Sequence, residues 1–135
     1  MDATEAAPGA GVAGCLAVLL AMAAPYLLVT DTGTGLAVYY RAGPVGAGLV
    51  GFLAVLSVVA FLAGVRGRTD PPTAAGVALV LGLAMVPLAL LWALSVPPEI
   101  VLGFPAAWMG WHRWAVVGLT AVIPAAGGAY VRAVL

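Results

Sequence analysis

The sequence contains no lysine, no asparagine and no glutamine, and only one cysteine and one histidine among its 135 residues. A lone Cys15 excludes an intramolecular disulfide and a cysteine-based metal cluster. Inside an apolar run it reads as a small buried hydrophobe, with a reactive or lipid-modified thiol as the alternative. A haem in a helix bundle generally needs paired axial ligands, and His112 has no second histidine. Between Trp111 and Arg113 it reads as an interfacial side chain in an aromatic girdle, with a titrating gate as the alternative. No metal and no cofactor is expected.

Charge is equally scarce. The five cations are all arginine (Arg41, Arg66, Arg68, Arg113, Arg132) and five acids balance them (Asp2, Glu5, Asp31, Asp70, Glu99), so no net field recruits nucleic acid or an acidic partner. No charge falls near the middle of a long apolar run, where it would cost roughly 2.5–3.5 kcal/mol. The lack argues against proton-coupled transport and redox pumping, and it removes the embedded acid that small four-helix multidrug exporters use. A nucleophile, base and orienting group cannot be assembled either: His112 has only Asp31 and Glu99 as same-side carboxylates, and no serine sits in an elbow motif. Enzyme activity is therefore not expected. The segment Asp31-Thr32-Gly33-Thr34-Gly35 lacks the lysine and the spacing of a phosphate loop and reads as a flexible turn.

What is abundant is hydrocarbon: 64% of the residues are hydrophobic, too many for an ordinary soluble domain. They fall into four runs, residues 11–30, 45–65, 74–96 and 114–135, the last with an earlier start near Pro105 left open. At about 1.5 Å per residue the first run is roughly 30 Å long, the thickness of the hydrocarbon layer. The expectation is an all-α integral membrane bundle, one domain over residues 1–135 with four transmembrane helices. Asp70-Pro71-Pro72 is a legible helix start, with a capping carboxylate and prolines suited to the first turn. Pro25, Pro87 and Pro124 should each bend a helix and free a carbonyl about one turn earlier. Ala21-Met22-Ala23 resembles a cleavage site, which makes a signal peptide the rival reading of the first run. Against it, the preceding stretch carries Asp2 and Glu5 and no arginine.

Short arginine-rich loops tend to stay cytoplasmic. Residues 66–73, with Arg66 and Arg68, are the densest cluster, and placing them inside puts both termini inside with Arg132, leaving Arg41 and Arg113 outside. The same topology gathers Tyr26, Tyr39, Tyr40, Trp92, Phe104, Trp108, Trp111 and Trp114 near the other boundary, with Tyr130 nearly alone at the inner one. It also brings Asp31, Arg41, Glu99, His112 and Arg113 into two same-side loops, the candidate polar site. They read either as solvated pairs worth roughly 0–1 kcal/mol each or as a small outward binding cup.

Small residues recur four apart on every run: Gly9, Ala13, Ala17, Ala21; Gly43, Ala47, Gly51; Ala74, Ala78, Gly82; and Ala121, Ala125, Ala129, Ala133. Such rows let helices approach closely, within the bundle or against a partner. Similar stretches ending at Pro25 and Pro87, and Tyr39-Tyr40-Arg41 beside Trp111-His112-Arg113, suggest two related hairpins, with coincidence in so biased a composition as the alternative.

The turn Arg66-Gly67-Arg68-Thr69-Asp70-Pro71, leading into Ala75-Gly76-Val77-Ala78-Leu79, together with Ala24-Pro25-Tyr26 and His112-Arg113-Trp114, resembles an uncharacterised family of small four-helix membrane proteins from halophilic archaea. The resemblance implies an archaeal cell membrane and transfers no activity. The expected function is a structural or accessory subunit of a membrane assembly, with the lipid bilayer and a membrane-protein partner or a second copy as its partners. The alternative is a small oligomeric channel or transporter lined by freed carbonyls and Ser or Thr hydroxyls.

Overall fold

The computed structural model describes residues 2–28 and 35–135. It is all-helical among these residues: α1 (Ala3–Leu28), α2 (Gly35–Tyr40), α3 (Gly48–Val65), α4 (Pro71–Ser95), α5 (Pro98–Leu102) and α6 (Met109–Val134). Four of them, α1, α3, α4 and α6, are long and apolar enough to cross a membrane.

The ends of these helices follow from local chemistry. Asp2 starts α1 by accepting from the Thr4 amide at 3.0 Å, so the helix begins well before the apolar run at residue 11. Asp70 caps α4, its carboxylate accepting from the Thr73 amide at 3.1 Å and the Thr73 hydroxyl at 2.9 Å, with Pro71 and Pro72 in the first turn. The carboxyl of Asp70 is held below its ordinary value by these two bonds. Helix α3 ends in a Schellman turn: Gly67 takes φ +72°, its amide bonds Gly64 O at 3.4 Å, and the Arg68 amide bonds Ala63 O at 3.0 Å. The α3–α4 connection is therefore tight, and the two helices run antiparallel.

The fourth helix begins at Met109, between the two starts the sequence left open, and ends at Val134. The short helices α2 and α5 were not anticipated; each lies in a connection rich in Gly or Pro, too short for a helical period to register.

The long helices pack in cyclic order α1, α3, α4, α6, with α6 closing on α1, and both described ends of the chain lie at the Arg66–Arg68 end. In hydrocarbon, apolar surface has no reason to leave lipid, so close packing must hold the bundle together. The tightest crossing joins α4 to α6. A Cβ at Gly82 would lie 2.6 Å from Pro124 N, and one at Gly127 would lie 2.8 Å from Leu79 Cα. Gly11 makes room for the Phe61 ring, and Gly64 for the Tyr130 hydroxyl and Ala74.

The rows of small residues divide between inside and outside. Ala74, Ala78 and Gly82 are all buried and form the α4 side of its interfaces. On α6 the buried line is Val116, Thr120, Ile123, Gly127 and Tyr130, while Ala121, Ala125 and Ala129 are exposed. On α1, Gly9 and Ala13 are exposed and the buried line runs through Gly11, Cys15 and Val18. Spacing by four was common to both classes, so it did not by itself tell which face met a neighbour.

Two groups of buried side chains result. One fills the bundle with Val18, Val50, Phe61, Met85 and Ile123. The other closes the end opposite Arg66, with Tyr39, Trp92, Phe104 and Met109.

Candidate functional site

Helix α2 has only six residues, too few to persist alone, and it is held by three long-range hydrogen bonds. The Tyr39 hydroxyl lies 2.8 Å from His112 Nδ1 on α6. The Tyr39 carbonyl accepts from Trp92 Nε1 on α4 at 2.7 Å. The Tyr40 hydroxyl donates to the Met22 carbonyl on α1. Two residues of α2 thus bind three of the four long helices.

His112 is 4% exposed, and its Nε2 lies 2.6 Å from the Ala21 carbonyl. That carbonyl is the one Pro25 leaves without an intrahelical donor, because proline at i has no N–H to give the carbonyl at i−4. A carbonyl oxygen only accepts, so Nε2 carries the proton; Nδ1 of the neutral ring is then the acceptor for the Tyr39 hydroxyl. Both ring nitrogens are engaged. Among the described residues, no three His, Cys, Asp or Glu side chains gather to hold a metal ion.

Aromatic rings surround this chain of bonds. Tyr39 meets the edges or faces of Tyr40, Trp92 and Phe104 with centroids 5.2, 5.3 and 5.7 Å away, and Tyr40 stacks between Tyr26 and Trp92. Trp108 adds an edge contact to His112. Each such pair contributes roughly 0.5–1.5 kcal/mol beyond the area it buries. Burial pushes the Tyr39 hydroxyl well above its ordinary value, opposed by the positive charge of Arg113, and burial with the neighbouring Tyr39 and Tyr26 does the same to Tyr40. Both phenols remain protonated donors at any physiological pH.

Of the five candidate polar residues four are described, and among the described residues they share no hydrogen bond with one another. His112 is withdrawn into the protein, which corrects the expectation of an interfacial side chain: Tyr39 and the freed Ala21 carbonyl bond both ring nitrogens in place of water. Arg113 is half-buried, with its guanidinium over the Trp114 ring at 5.5 Å. Its Nε and Nη1 are buried without a hydrogen-bond partner among the described residues. Arg41 and Glu99 are exposed, and among the described residues no ion pair joins them to each other or to Arg113. Asp31 lies outside the described residues.

Over residues 1–135 the sequence matches the model of DUF7548, a family of unknown function. The chain belongs to DUF7548. No characterised protein and no solved structure matches it. In this DUF7548 chain, sequence reasoning placed Tyr39, Tyr40 and Trp92 in an aromatic belt but missed their hydrogen bonds to the backbone and to His112. The legible signal was Pro25: a proline inside an apolar helix leaves a carbonyl that something must satisfy, and His112 is the side chain that reaches it.

Proposed function

We propose that this DUF7548 chain is a structural or accessory subunit of a membrane assembly, packed against a partner helix along α6. What supports the reading is the exposed row Ala121, Ala125 and Ala129, continued by the half-buried Ala133. It lies on the outward side of α6 while the bundle is held by the opposite side. A small-residue row facing out lets a second helix pack closely against α6. The interior adds to this: Ser57 and Thr120, its buried hydroxyls, donate to Leu53 O and Val117 O of their own helices at 2.8 and 2.7 Å, between fully buried Phe61, Met85 and Ile123. A single bundle packed in this way offers a rigid body, not a wet path.

We also propose that both termini face the cytoplasm, in a cell membrane that the resemblance makes archaeal. Arg66, Arg68 and Arg132 are exposed at one end; at the other only Arg41 is, since Arg113 is drawn into the protein. Reporter fusions at Leu135 and in the Gly67 turn are expected to read cytoplasm, and an external signal at either reverses the orientation.

The test of the role is purification from native membranes in mild detergent. A stoichiometric companion, or a second copy, is expected. Ion or solute flux into liposomes containing the purified chain, above that of empty vesicles, would instead establish the oligomeric channel.

A further inference from the structure

At the Arg66 end the four long helices enclose a cavity of about 410 Å³, lined by Glu5 of α1, Gly64 and Val65 of α3, Pro71 of α4, and Tyr130 and Val134 of α6. That volume lies within the range of small-molecule sites, roughly 300–1,000 Å³. Tyr130 is 1% exposed, its ring tilted against the fully buried Phe61. Gly64 leaves the wall bare beside it: a Cβ there would meet the Tyr130 hydroxyl, so the hydroxyl stands at the cavity wall. The hydroxyls of Tyr39 and Tyr40 have partners, and that of Tyr130 has none among the described residues. A buried ring whose hydroxyl finds no protein partner leaves a donor and two lone pairs for whatever fills the cavity. Glu5 supplies the charge. The side-chain hydrogen bonds to described acids at this end go to Asp2 and Asp70, not to Glu5. Among the described residues Glu5 is the one ionisable acid lining the cavity, and no arginine lines it.

We propose that this cavity binds an organic ammonium cation. The Glu5 carboxylate accepts one of its N–H groups, the Tyr130 hydroxyl oxygen accepts another, and Val65, Pro71 and Val134 hold its hydrocarbon part. An anion would be repelled by Glu5, and a neutral solute would leave the carboxylate unpaired in a partly enclosed site. A cation with an apolar body satisfies both kinds of wall. The ammonium can come from a soluble amine or from the ethanolamine headgroup of a lipid, since the cavity lies at the ends of the membrane-spanning helices. Its walls belong to one chain, so the site is independent of any partner along α6.

Fluorine NMR of para-fluorobenzylammonium, titrated with the full-length chain in dodecyl maltoside, tests it. Saturable binding above that of empty micelles is expected, with para-fluorobenzyl alcohol about tenfold weaker. Glu5→Gln, an exposed position, is expected to weaken binding of the ammonium by about tenfold, the loss of a charge-assisted bond. Tyr130→Phe keeps the buried ring and removes only the hydroxyl, and binding should fall by about threefold or more. Glu99→Gln, at the opposite end, is expected to leave it unchanged. Binding equal to the wild type in Glu5→Gln or in Tyr130→Phe overturns the proposal. So does an alcohol bound as tightly as the ammonium, or para-fluorobenzoate bound in preference to either. Phosphatidylethanolamine added to the micelles separates the two sources. Displacement of the probe by that lipid would assign the ammonium to a headgroup, and binding undisturbed by it would assign a soluble amine.

Discussion

Pro25 and His112 complete each other: the proline on α1 removes the amide that would have bonded the Ala21 carbonyl, and the histidine on α6 supplies the missing N–H at 2.6 Å. The bond replaces one within a helix by one between helices, so the defect in α1 becomes a fastening of α6. His112 then passes the connection on, through Tyr39, to α2 and α4.

Replacing His112 with Phe keeps the ring and removes both bonds, so the Ala21 carbonyl and the Tyr39 hydroxyl are left unpaired. The expected loss is about 1–4 kcal/mol of stability against denaturation in detergent, two bonds at membrane-protein values or somewhat above. Pro25→Ala restores an amide to bond Ala21 O. In that background His112→Phe is expected to cost about 1 kcal/mol less than in the wild type. Equal costs in the two backgrounds would mean that the histidine does not serve the proline's carbonyl.

Gly82 tests the crossing of α4 and α6. A methyl there would press on the backbone of Pro124, which has no rotamer to yield, so the two helices must separate. Gly82→Ala is expected to destabilise by about 1–3 kcal/mol. Gly76 sits on the same helix with nothing within 4 Å of an added Cβ, and Gly76→Ala should be neutral or slightly stabilising. Thermal unfolding of the two variants in the same detergent separates packing from helix propensity.

The contrast between Gly82 and Gly76 also shows where reading the sequence stops. Four helices were legible because apolar runs without interior charge have one stable form in hydrocarbon, and the α4 start was legible because Asp70, Pro71 and Pro72 act on adjacent atoms. The start of α1 was missed by counting apolar residues, since Asp2 begins the helix by capping rather than by burial. The site was legible only as an inventory. His112 meets Tyr39 and Ala21 across 73 and 91 residues, so nothing near it in the chain distinguishes a buried, doubly bonded ring from an interfacial one.

The cap on α4 has a definite pH dependence. Asp70 has its carboxyl held below the ordinary value of 3.8 by bonds from Thr73, which favour the charged form. Its contribution is therefore present in full above the unfolded value and is lost as pH falls through the folded one, below about 4. Asp70→Asn is expected to flatten the acid limb of the stability curve in that window and leave neutral pH nearly unchanged, because Asn also caps well. Asp70→Ala should lower stability at neutral pH as well. A wild-type curve already flat below pH 4 would remove the carboxylate from the account.

The two small-residue rows predict opposite outcomes for one substitution. Ala78 is fully buried between α4 and its neighbours, so Ala78→Leu has no space to enter and should prevent folding or cost about 2–3 kcal/mol. Ala125 and Ala129 are exposed on α6, so leucine at either should leave the isolated chain as stable as before, since leucine is at home in lipid. If α6 docks a partner helix, the same leucines hold that helix off and the companion should be lost from native purification while the chain itself is recovered in normal amount. Loss of the companion with Ala125→Leu but not with Val80→Leu, an exposed position on α4, would place the partner on α6. Companions retained in all of these variants would leave the exposed row without a function in assembly, and the proposed subunit role would have to rest on another face.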